Sequence, residues 1–365
     1  MKKLIILLFL TVLFLSGCNQ EELEYENYVP LLQLRDKYVK SGQPTVGALR
    51  WVLTIGGKIN SSPAVSGNTV VFVNSNGTVN ALNASTGAKV WTAPKQLPAK
   101  VDEASVEIHN NIVYIAGENG VLYAMNLSTG SILWQYPTGS KILSTPIFTK
   151  HFVIIPSGDG YLYFISIKHG SLEHRVAYNI PLQSSPSMYK GIIYLGGYDG
   201  KLYAYDAMNK SILWSYKTKG AIISKPIVAN DRIYFGSTDN TLYCLSTKGA
   251  ILWSKKLSGM VKSTPAVIKG IVYAGDGKGY AYAIRAADGT FVWKYKTNGA
   301  ILSSPTVVDN TAYFTSGDGF AYAFNSQTGA LNWKFGTGSL IFSTPVVNNG
   351  TVYFGAENGK FYALR

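Results

Sequence analysis

Short apolar runs separated by turn residues repeat along most of the chain. In one unit, residues 191–195, 201–205 and 211–214 are rich in Ile, Leu and Tyr, and Gly, Asn, Asp or Lys stand between them. Runs of this length and composition predict short β-strands. An Asn-Gly or Asp-Gly pair, which suits a type I′ hairpin, separates the second and third strands of most units. Those pairs begin at Asn76, Asn119, Asp159, Asp199, Asp318 and Asn358.

Three residue types recur with a period of about 40 residues. A proline, usually preceded by Ser or Thr, opens a unit, a tyrosine marks its third strand, and a tryptophan marks its fourth. The prolines are Pro63, Pro146, Pro186, Pro226, Pro265, Pro305 and Pro345; the tyrosines are Tyr123, Tyr163, Tyr203, Tyr243, Tyr282, Tyr322 and Tyr362; the tryptophans are Trp91, Trp134, Trp214, Trp253, Trp293 and Trp333. Four strands in a unit of about 40 residues are typical of a β-propeller blade.

The eighth unit begins at Ser343, and the sequence ends at Arg365 before a closing strand appears. Residues 49–57, which include Trp51, match the closing strand at 213–220 of the fourth unit. We therefore expect the N-terminal strand to complete the last blade, because closure removes exposed sheet edges. The predicted fold is all-β, an eight-bladed β-propeller with four-stranded blades, closed by the N-terminal strand.

The first residues are typical of an export signal. Lys2 and Lys3 precede an apolar run at 4–15, which is short for a membrane span of about 30 Å. The following Leu-Ser-Gly-Cys resembles the bacterial lipobox, which implies cleavage before Cys18 and its lipidation. We expect a cleaved lipoprotein signal peptide at 1–17, a lipidated cysteine and tether at 18–48, and the propeller at 49–365.

No group of residues has the spacing of a catalytic or metal site. Asp159, Asp199, Asp239 and Asp318 recur in the hairpin turn, whose geometry accounts for them. The four histidines lack metal-ligand spacing. Cys244, in an apolar run, is expected to be a small core residue. We therefore predict no catalytic residue, no metal site and no cofactor.

Residues that break the repeat are the remaining candidates for function. Asp102, Glu103 and Glu107 cluster at the start of the second unit, and Lys225 replaces the Ser or Thr that precedes Pro in most others. If the first strands line the channel, these side chains face a pore or its rim, where they could hold a polar ligand. Solvated charges at the channel mouth, arisen by drift among repeats, are the interpretation we favour.

The net positive charge of the chain indicates which kinds of partner could bind it. The formal net charge is +13, and a positive surface attracts anionic lipid, lipopolysaccharide or acidic protein faces. A solubilising lysine-rich surface explains the charge equally well. For a secreted protein we predict no nucleic-acid partner.

The segment from Asn83 to Trp91 resembles the tryptophan-docking motif of quinoprotein (PQQ-type) propellers, and residues 126–134 and 325–333 match it equally well. In that family the tryptophan packs between neighbouring blades. The resemblance implies this structural docking role for Trp51, Trp91, Trp134, Trp214, Trp253, Trp293 and Trp333. With the lipobox and eight such units, residues 49–365 resemble the BamB family of outer-membrane assembly lipoproteins.

The BamB resemblance implies a non-enzymatic scaffold, monomeric within a larger complex, that grips a BamA-like barrel insertase. In that family a loop entering the fourth blade makes the contact through Leu and Arg residues. The matching residues 179–186 include Leu182, but the loop is shorter and no Arg precedes its Ser-Ser-Pro. Asn19, by resemblance to the enterobacterial sorting rule, implies export to the outer membrane, facing the periplasm, in an organism with two membranes.

The expected function is thus a membrane-anchored, non-catalytic scaffold for protein–protein interaction in the cell envelope, with a role in assembly and insertion of outer-membrane β-barrel proteins. Two alternatives stay open. One is a PQQ-type quinoprotein or other propeller that binds a small ligand, although the adjacent Cys pair of the quinoproteins is absent. The other is a surface adhesin or polysaccharide-binding module, which the repeated aromatic residues would suit.

Overall fold

The computed structural model describes residues 48–92, Leu97 and residues 105–365. Within these ranges the chain forms 32 β-strands and no helix, so no described helix could cross a membrane. The strands form eight four-stranded sheets, which confirms the predicted eight-bladed propeller. The signal peptide, Cys18 and the tether up to residue 47 lie outside the described residues and stay predictions.

The strands are numbered in chain order, and each is two to seven residues long. Those of the first half are β1 (Leu49–Thr54), β2 (Ala64–Ser66), β3 (Thr69–Val73), β4 (Val79–Asn83), β5 (Lys89–Thr92), β6 (Ser105–His109), β7 (Ile112–Ala116), β8 (Val121–Asn126), β9 (Ile132–Pro137), β10 (Ile147–Phe148), β11 (Phe152–Pro156), β12 (Tyr161–Ser166), β13 (Leu172–Ala177), β14 (Ser187–Tyr189), β15 (Ile192–Gly196) and β16 (Lys201–Asp206). Those of the second half are β17 (Ser211–Lys217), β18 (Ile227–Ala229), β19 (Arg232–Ser237), β20 (Thr241–Ser246), β21 (Ile251–Lys256), β22 (Ala266–Ile268), β23 (Ile271–Gly275), β24 (Tyr280–Arg285), β25 (Phe291–Lys296), β26 (Thr306–Val308), β27 (Thr311–Thr315), β28 (Phe320–Asn325), β29 (Leu331–Gly336), β30 (Val346–Asn348), β31 (Thr351–Gly355) and β32 (Lys360–Leu364).

Each blade is an antiparallel meander from an inner to an outer strand. Blades 1 to 7 are formed by β2–β5, β6–β9, β10–β13, β14–β17, β18–β21, β22–β25 and β26–β29, and blade 8 by β30–β32 with β1. The inner strands of most neighbouring blades contact one another. They therefore surround a central channel, and the outer strands form the circumference.

The N-terminal strand closes the ring. β1 pairs antiparallel with β32, so that Trp51 lies opposite Ala363 and Thr54 opposite Lys360. Ala48 and Arg365 exchange two backbone hydrogen bonds of 3.0 and 2.9 Å. Both ends of the described chain thus share one sheet, which confirms that the first strand completes the last blade.

The meander gives the propeller two different faces. Turns between inner and second strands lie on one face, together with turns between third and outer strands; we call it the hairpin face. Turns between second and third strands lie on the other face, together with the connections from each outer strand to the next blade; we call it the connection face. Many positive-φ glycines occupy turns on both faces, where a side chain would strain the backbone.

The core lies in the seams, the interfaces between consecutive blades. In most blades the outer-strand tryptophan lies opposite a small residue of the third strand, as Trp134 does opposite Ala124. Cys244 occupies this small position opposite Trp253. It is free and fully buried, and burial raises the pKa of its thiol to about 11. The thiol therefore stays protonated and unreactive at neutral pH, and its expected core position is confirmed.

Candidate functional site

The outer-strand tryptophans dock onto the following blade. Trp293 of blade 6 is 8% exposed, and its Nε1 donates a hydrogen bond of 2.8 Å to the carbonyl of Ser326 in blade 7. The hydroxyl of Tyr273 donates to the same carbonyl, at 3.1 Å. Equivalent indole bonds of 2.7 to 3.2 Å run from Trp51 to Ala84, Trp91 to Leu127, Trp134 to Ile167 and Trp253 to Ala286. These bonds join one blade to the next.

A turn glycine allows each indole ring to approach the next blade. Gly329 has φ 75°, and a Cβ built there would lie 2.6 Å from the ring of Trp293. Real Cβ atoms do not come so close, so only glycine fits. The equivalent glycines are Gly87, Gly130, Gly170, Gly249 and Gly289, which face Trp51, Trp91, Trp134, Trp214 and Trp253. Trp333 instead packs into the core between blades 7 and 8, next to the sheet in which both ends of the described chain pair.

The seam between blades 3 and 4 lacks both the docking tryptophan and the turn glycine. His174 occupies the tryptophan position, and Lys210, with φ 51°, lies where other blades have glycine. The imidazole stacks on Phe164 with ring centroids 3.9 Å apart, and its buried Nε2 has no hydrogen bond to the described residues. Burial, assisted by the positive charge of Lys210, lowers the pKa of His174 to about 4. The imidazole is therefore neutral at pH 7.

Tyrosines of the same blade hold the turn carboxylates. The hydroxyl of Tyr163 donates a hydrogen bond of 2.6 Å to Asp159, whose other oxygen accepts the amide of Tyr161 at 3.1 Å. The same bond, 2.7 to 2.8 Å long, joins Tyr203 to Asp199, Tyr243 to Asp239 and Tyr322 to Asp318. In the sequence these tyrosines only mark the third strand, although each lies four residues after the turn acid. Each of these carboxylates has a structural partner.

A central channel with a volume of about 900 Å³ lies between the inner strands. The Ser and Thr residues that precede proline place a ring of hydroxyl groups around this channel, which we call the hydroxyl ring. In this ring a backbone amide donates to the hydroxyl of the equivalent residue in the next blade. The bonds, 2.8 to 3.4 Å long, run from Thr145 to Ser185, Lys225 to Thr264, Thr264 to Ser304, Ser304 to Thr344 and Thr344 to Ser62.

Lys225 interrupts the hydroxyl ring. Its side chain lines the channel, and burial lowers its pKa, while the carboxylate of Glu107 opposes that shift. Glu107, in the inner strand of blade 2, lines the same channel. The structure thus brings together two of the four residues predicted to break the symmetry; Asp102 and Glu103 lie outside the described residues. In the described part of the chain, no three His, Cys, Asp or Glu side chains are grouped so that they could hold a metal ion.

Positions that differ from blade to blade gather at the mouth of the channel on the connection face. One such position precedes the buried serine of the Ser-Pro segment and holds Asn60, Leu143, Gln183, Ile223, Lys262, Leu302 and Phe342. Around it lie Tyr198, Met260 and Leu340, which are 45%, 42% and 42% exposed, and the exposed Lys141. We call Tyr198, Met260, Leu340, Lys141 and Lys262 the mouth surface. It combines exposed apolar area with positive charge.

Leu182, the residue expected to contact a partner, lies beside the mouth but points away from it. Its side chain is 0% exposed and packs in the core between blades 3 and 4. The position before each mouth residue is a buried aliphatic in seven blades, and Leu182 fills it in blade 4. Its partner-binding role stays a prediction, and in this conformation the accessible neighbours are Gln183 and Pro181.

Closed blades, a channel and docked tryptophans define the protein as a repeat β-propeller, and family models agree. The model described as "Beta-alanine-activating enzyme, beta-propeller" matches residues 178–365, just over half of the chain. The model described as "Outer membrane protein assembly factor BamB" matches residues 32–108 and 76–188. The chain belongs to the family of PQQ-repeat β-propellers and is BamB-like within it. No curated protein matches the chain in sequence.

Many solved structures share the fold. BamB from Moraxella catarrhalis is 16% identical, covers 88% of this chain and 100% of its own, and gives a TM-score of 0.76. A computationally designed protein, Ika8, is 20% identical over 88% of this chain and 99% of its own, also with a TM-score of 0.76. The quinohemoprotein alcohol dehydrogenase from Comamonas testosteroni is 13% identical over 93% of this chain and 78% of its own, with a TM-score of 0.73. At these identities the likeness shows the fold alone, which scaffolds and enzymes share.

Proposed function

We propose that this protein is a membrane-anchored, non-catalytic scaffold for protein–protein interaction in the cell envelope, with a BamB-like role in the assembly of outer-membrane β-barrel proteins. Its partner in this proposal is a BamA-like barrel insertase, and the chain is a monomer within the complex. The BamB-like family match supports the coarse role. The single structural observation behind it is the mouth surface, where variable exposed residues are concentrated.

The mouth surface has the chemistry of a protein-binding site. Tyr198 is a large side chain, 45% exposed, and aromatic residues are enriched among those that dominate binding energy at interfaces. Met260 and Leu340 add exposed apolar area, which stabilises a complex by about 25 cal/mol per Å² removed from water. Lys141 and Lys262 would speed association with an acidic partner face.

The proposal includes no catalysis. The turn carboxylates of blades 3, 4, 5 and 7 accept hydrogen bonds from Tyr163, Tyr203, Tyr243 and Tyr322. A general base must reach the substrate proton it removes, and these groups instead hold turns. Their repetition supports a structural role in every blade.

Site-specific photo-crosslinking tests the binding surface. A photoreactive amino acid is placed at Tyr198 or Leu340 on the mouth surface, and at Met208 as a control. Met208 is 52% exposed but lies in a turn on the hairpin face. We expect adducts in native membranes from the two mouth positions only, and identification of the partner as a BamA-like insertase by mass spectrometry. Equal adducts from Met208, or adducts that lack any insertase, would contradict the proposal.

Anchoring is tested separately at Cys18. Lipidation would stabilise membrane attachment by about 0.8 kcal/mol per buried CH₂. Cells grown with a clickable palmitate analogue should label the protein, and Cys18→Ala should abolish the label and release the protein from the membrane fraction. Location in the outer membrane, facing the periplasm, is part of the same proposal; density-gradient separation of the membranes tests it. An unlabelled wild-type protein would refute the anchor.

The alternative functions make different predictions. A quinoprotein would reduce a redox dye after addition of PQQ and Ca²⁺, as its fold relation to a quinohemoprotein alcohol dehydrogenase would allow. A polysaccharide-binding module would bind glycan arrays through exposed aromatic residues. A scaffold predicts neither result, but predicts lower levels of outer-membrane barrel proteins when the gene is deleted; normal levels would contradict it.

A further inference from the structure

The wall of the channel carries hydroxyl groups that can donate hydrogen bonds. Five of the six ring hydroxyls, those of Ser62, Ser185, Thr264, Ser304 and Thr344, accept a backbone N–H from the preceding blade, and within the described residues none of the five donates a hydrogen bond. A hydroxyl that accepts one bond keeps its own O–H for donation. Because four of these five hydroxyls line the channel, their donors are available to a group placed inside it. These hydroxyls belong to Ser62, Thr264, Ser304 and Thr344.

Lys225 adds a basic side chain at the same level of the channel. It stands at the ring position of blade 5, and its Nζ forms no hydrogen bond with any residue that the structure describes. Among the described residues, the charged side chains that line the channel are Lys141 and Lys262 at its mouth, and Lys225 and Glu107 further inside. A buried ammonium is costly unless an opposite charge compensates it. Glu107 supplies part of that compensation, and an anion bound beside Lys225 would add to it.

The size of the channel fits a small molecule. A volume of about 900 Å³ falls within the usual range of about 300 to 1,000 Å³ for ligand sites. Donors on several sides, with a lysine among them, match an anion whose oxygens point in more than one direction.

We propose that the channel is a binding site for a small oxyanion, an organic carboxylate or a phosphate, in which Lys225 pairs with the negative charge and the ring hydroxyls donate to its oxygens. Such a ligand would turn the interruption of the hydroxyl ring into a recognition element. The site is independent of the scaffold role, since it lies inside the channel and needs no protein partner.

Calorimetric titration of the full chain in detergent micelles at low ionic strength tests this site, with citrate and inorganic phosphate as probes. Lys225→Thr restores the residue type that blades 6 and 8 carry at this position, so the variant is compatible with the fold. The matched control is Lys294→Thr, which removes an exposed lysine of β25 far from the channel.

We expect saturable binding of at least one probe, with a Kd below about 1 mM. We expect affinity to fall at least about tenfold, or about 1.4 kcal/mol, in Lys225→Thr and to stay within about twofold in Lys294→Thr. The probe that saturates identifies the ligand as a carboxylate or a phosphate. No saturable binding of either probe to the wild type, or equal affinity in the wild type and Lys225→Thr, would overturn the proposal.

Discussion

The seam between blades 6 and 7 and the seam between blades 3 and 4 occupy equivalent places in the ring but are built differently. In the first, Trp293 donates a hydrogen bond across the seam and lies against Gly329. In the second, His174 has a buried, unbonded Nε2, and Lys210 holds a left-handed backbone where other blades have glycine. Comparison of the two seams distinguishes side chains that only fill the space between blades from side chains that also form a hydrogen bond to the next blade.

In blade 3, which has His174 in place of tryptophan, the facing side chains of the third and outer strands still fill the space between them. Trp293 lies opposite Ala283 in the third strand of blade 6, whereas His174 lies opposite Phe164 in blade 3. In blade 3 the larger side chain, Phe164, lies in the third strand and the smaller one, His174, lies in the outer strand, which is the reverse of blade 6. The centroids of the two rings are 3.9 Å apart. Packing density can therefore be kept, but the hydrogen bond to the next blade is lost. We infer that the 3–4 seam is weaker than the 6–7 seam.

The largest expected effect comes from truncating the regular pair. Trp293→Ala should destabilise the protein by about 4 kcal/mol, because it removes a buried ring and leaves a cavity. His174→Ala should cost about half as much, since the imidazole is smaller and forms no cross-blade hydrogen bond. Equilibrium unfolding in guanidinium chloride measures both changes. Equal losses would contradict the difference between the seams.

Rebuilding the regular pair in blade 3 should reveal coupling among three positions. His174→Trp alone should destabilise by about 1–3 kcal/mol, because Phe164 already fills the space. Adding Phe164→Ala and Lys210→Gly should recover that loss, with a coupling free energy of up to about 3 kcal/mol. Denaturation midpoints of the single, double and triple variants give the coupling. Strict additivity would show that the three positions do not act as one docking unit.

Substitutions at the glycine position should change the stability of the protein in opposite directions in the two seams. Gly329→Ala should destabilise by about 2 kcal/mol, because a positive φ alone costs about 1–2 kcal/mol for a residue with a Cβ and the added carbon meets the ring of Trp293. Lys210→Gly relieves the same backbone strain and should stabilise by up to about 1 kcal/mol. Thermal unfolding of both variants decides the matter. Two changes of the same sign would be inconsistent with this account.

Acid should weaken the 3–4 seam selectively. The pKa of His174 is lowered to about 4, against about 6.5 for a histidine in an unfolded chain. The unfolded chain therefore binds the proton more tightly, so this contribution is fully present above pH 6.5 and is lost as pH falls towards 4. Between pH 7 and 4.5 the midpoint should fall further for the wild type than for His174→Phe, which has no proton to gain. Identical pH profiles would exclude a role for His174.

The repeat predicted most of the fold but little of the cross-blade chemistry. Period, strand composition and the position of Trp51 were enough for eight blades and their closure, because these features depend on spacing along the chain. Gly329 reads as an ordinary turn residue, and its contact with Trp293 appears only when the blades are placed side by side. Leu182 shows the same limit, since its neighbour Gln183 lines the channel while Leu182 itself is buried.

Hydrogen exchange read by mass spectrometry under native conditions tests the central claim most directly, because it compares the outer strands of all blades in one experiment. We predict that β13 exchanges faster than β9, β21 and β25, and that β1 is protected to a similar degree as those regular strands because it is paired with β32 and docked through Trp51. Protection of β13 equal to that of β25, or unprotected β1 amides, would contradict the account of how docking pairs hold this closed ring together.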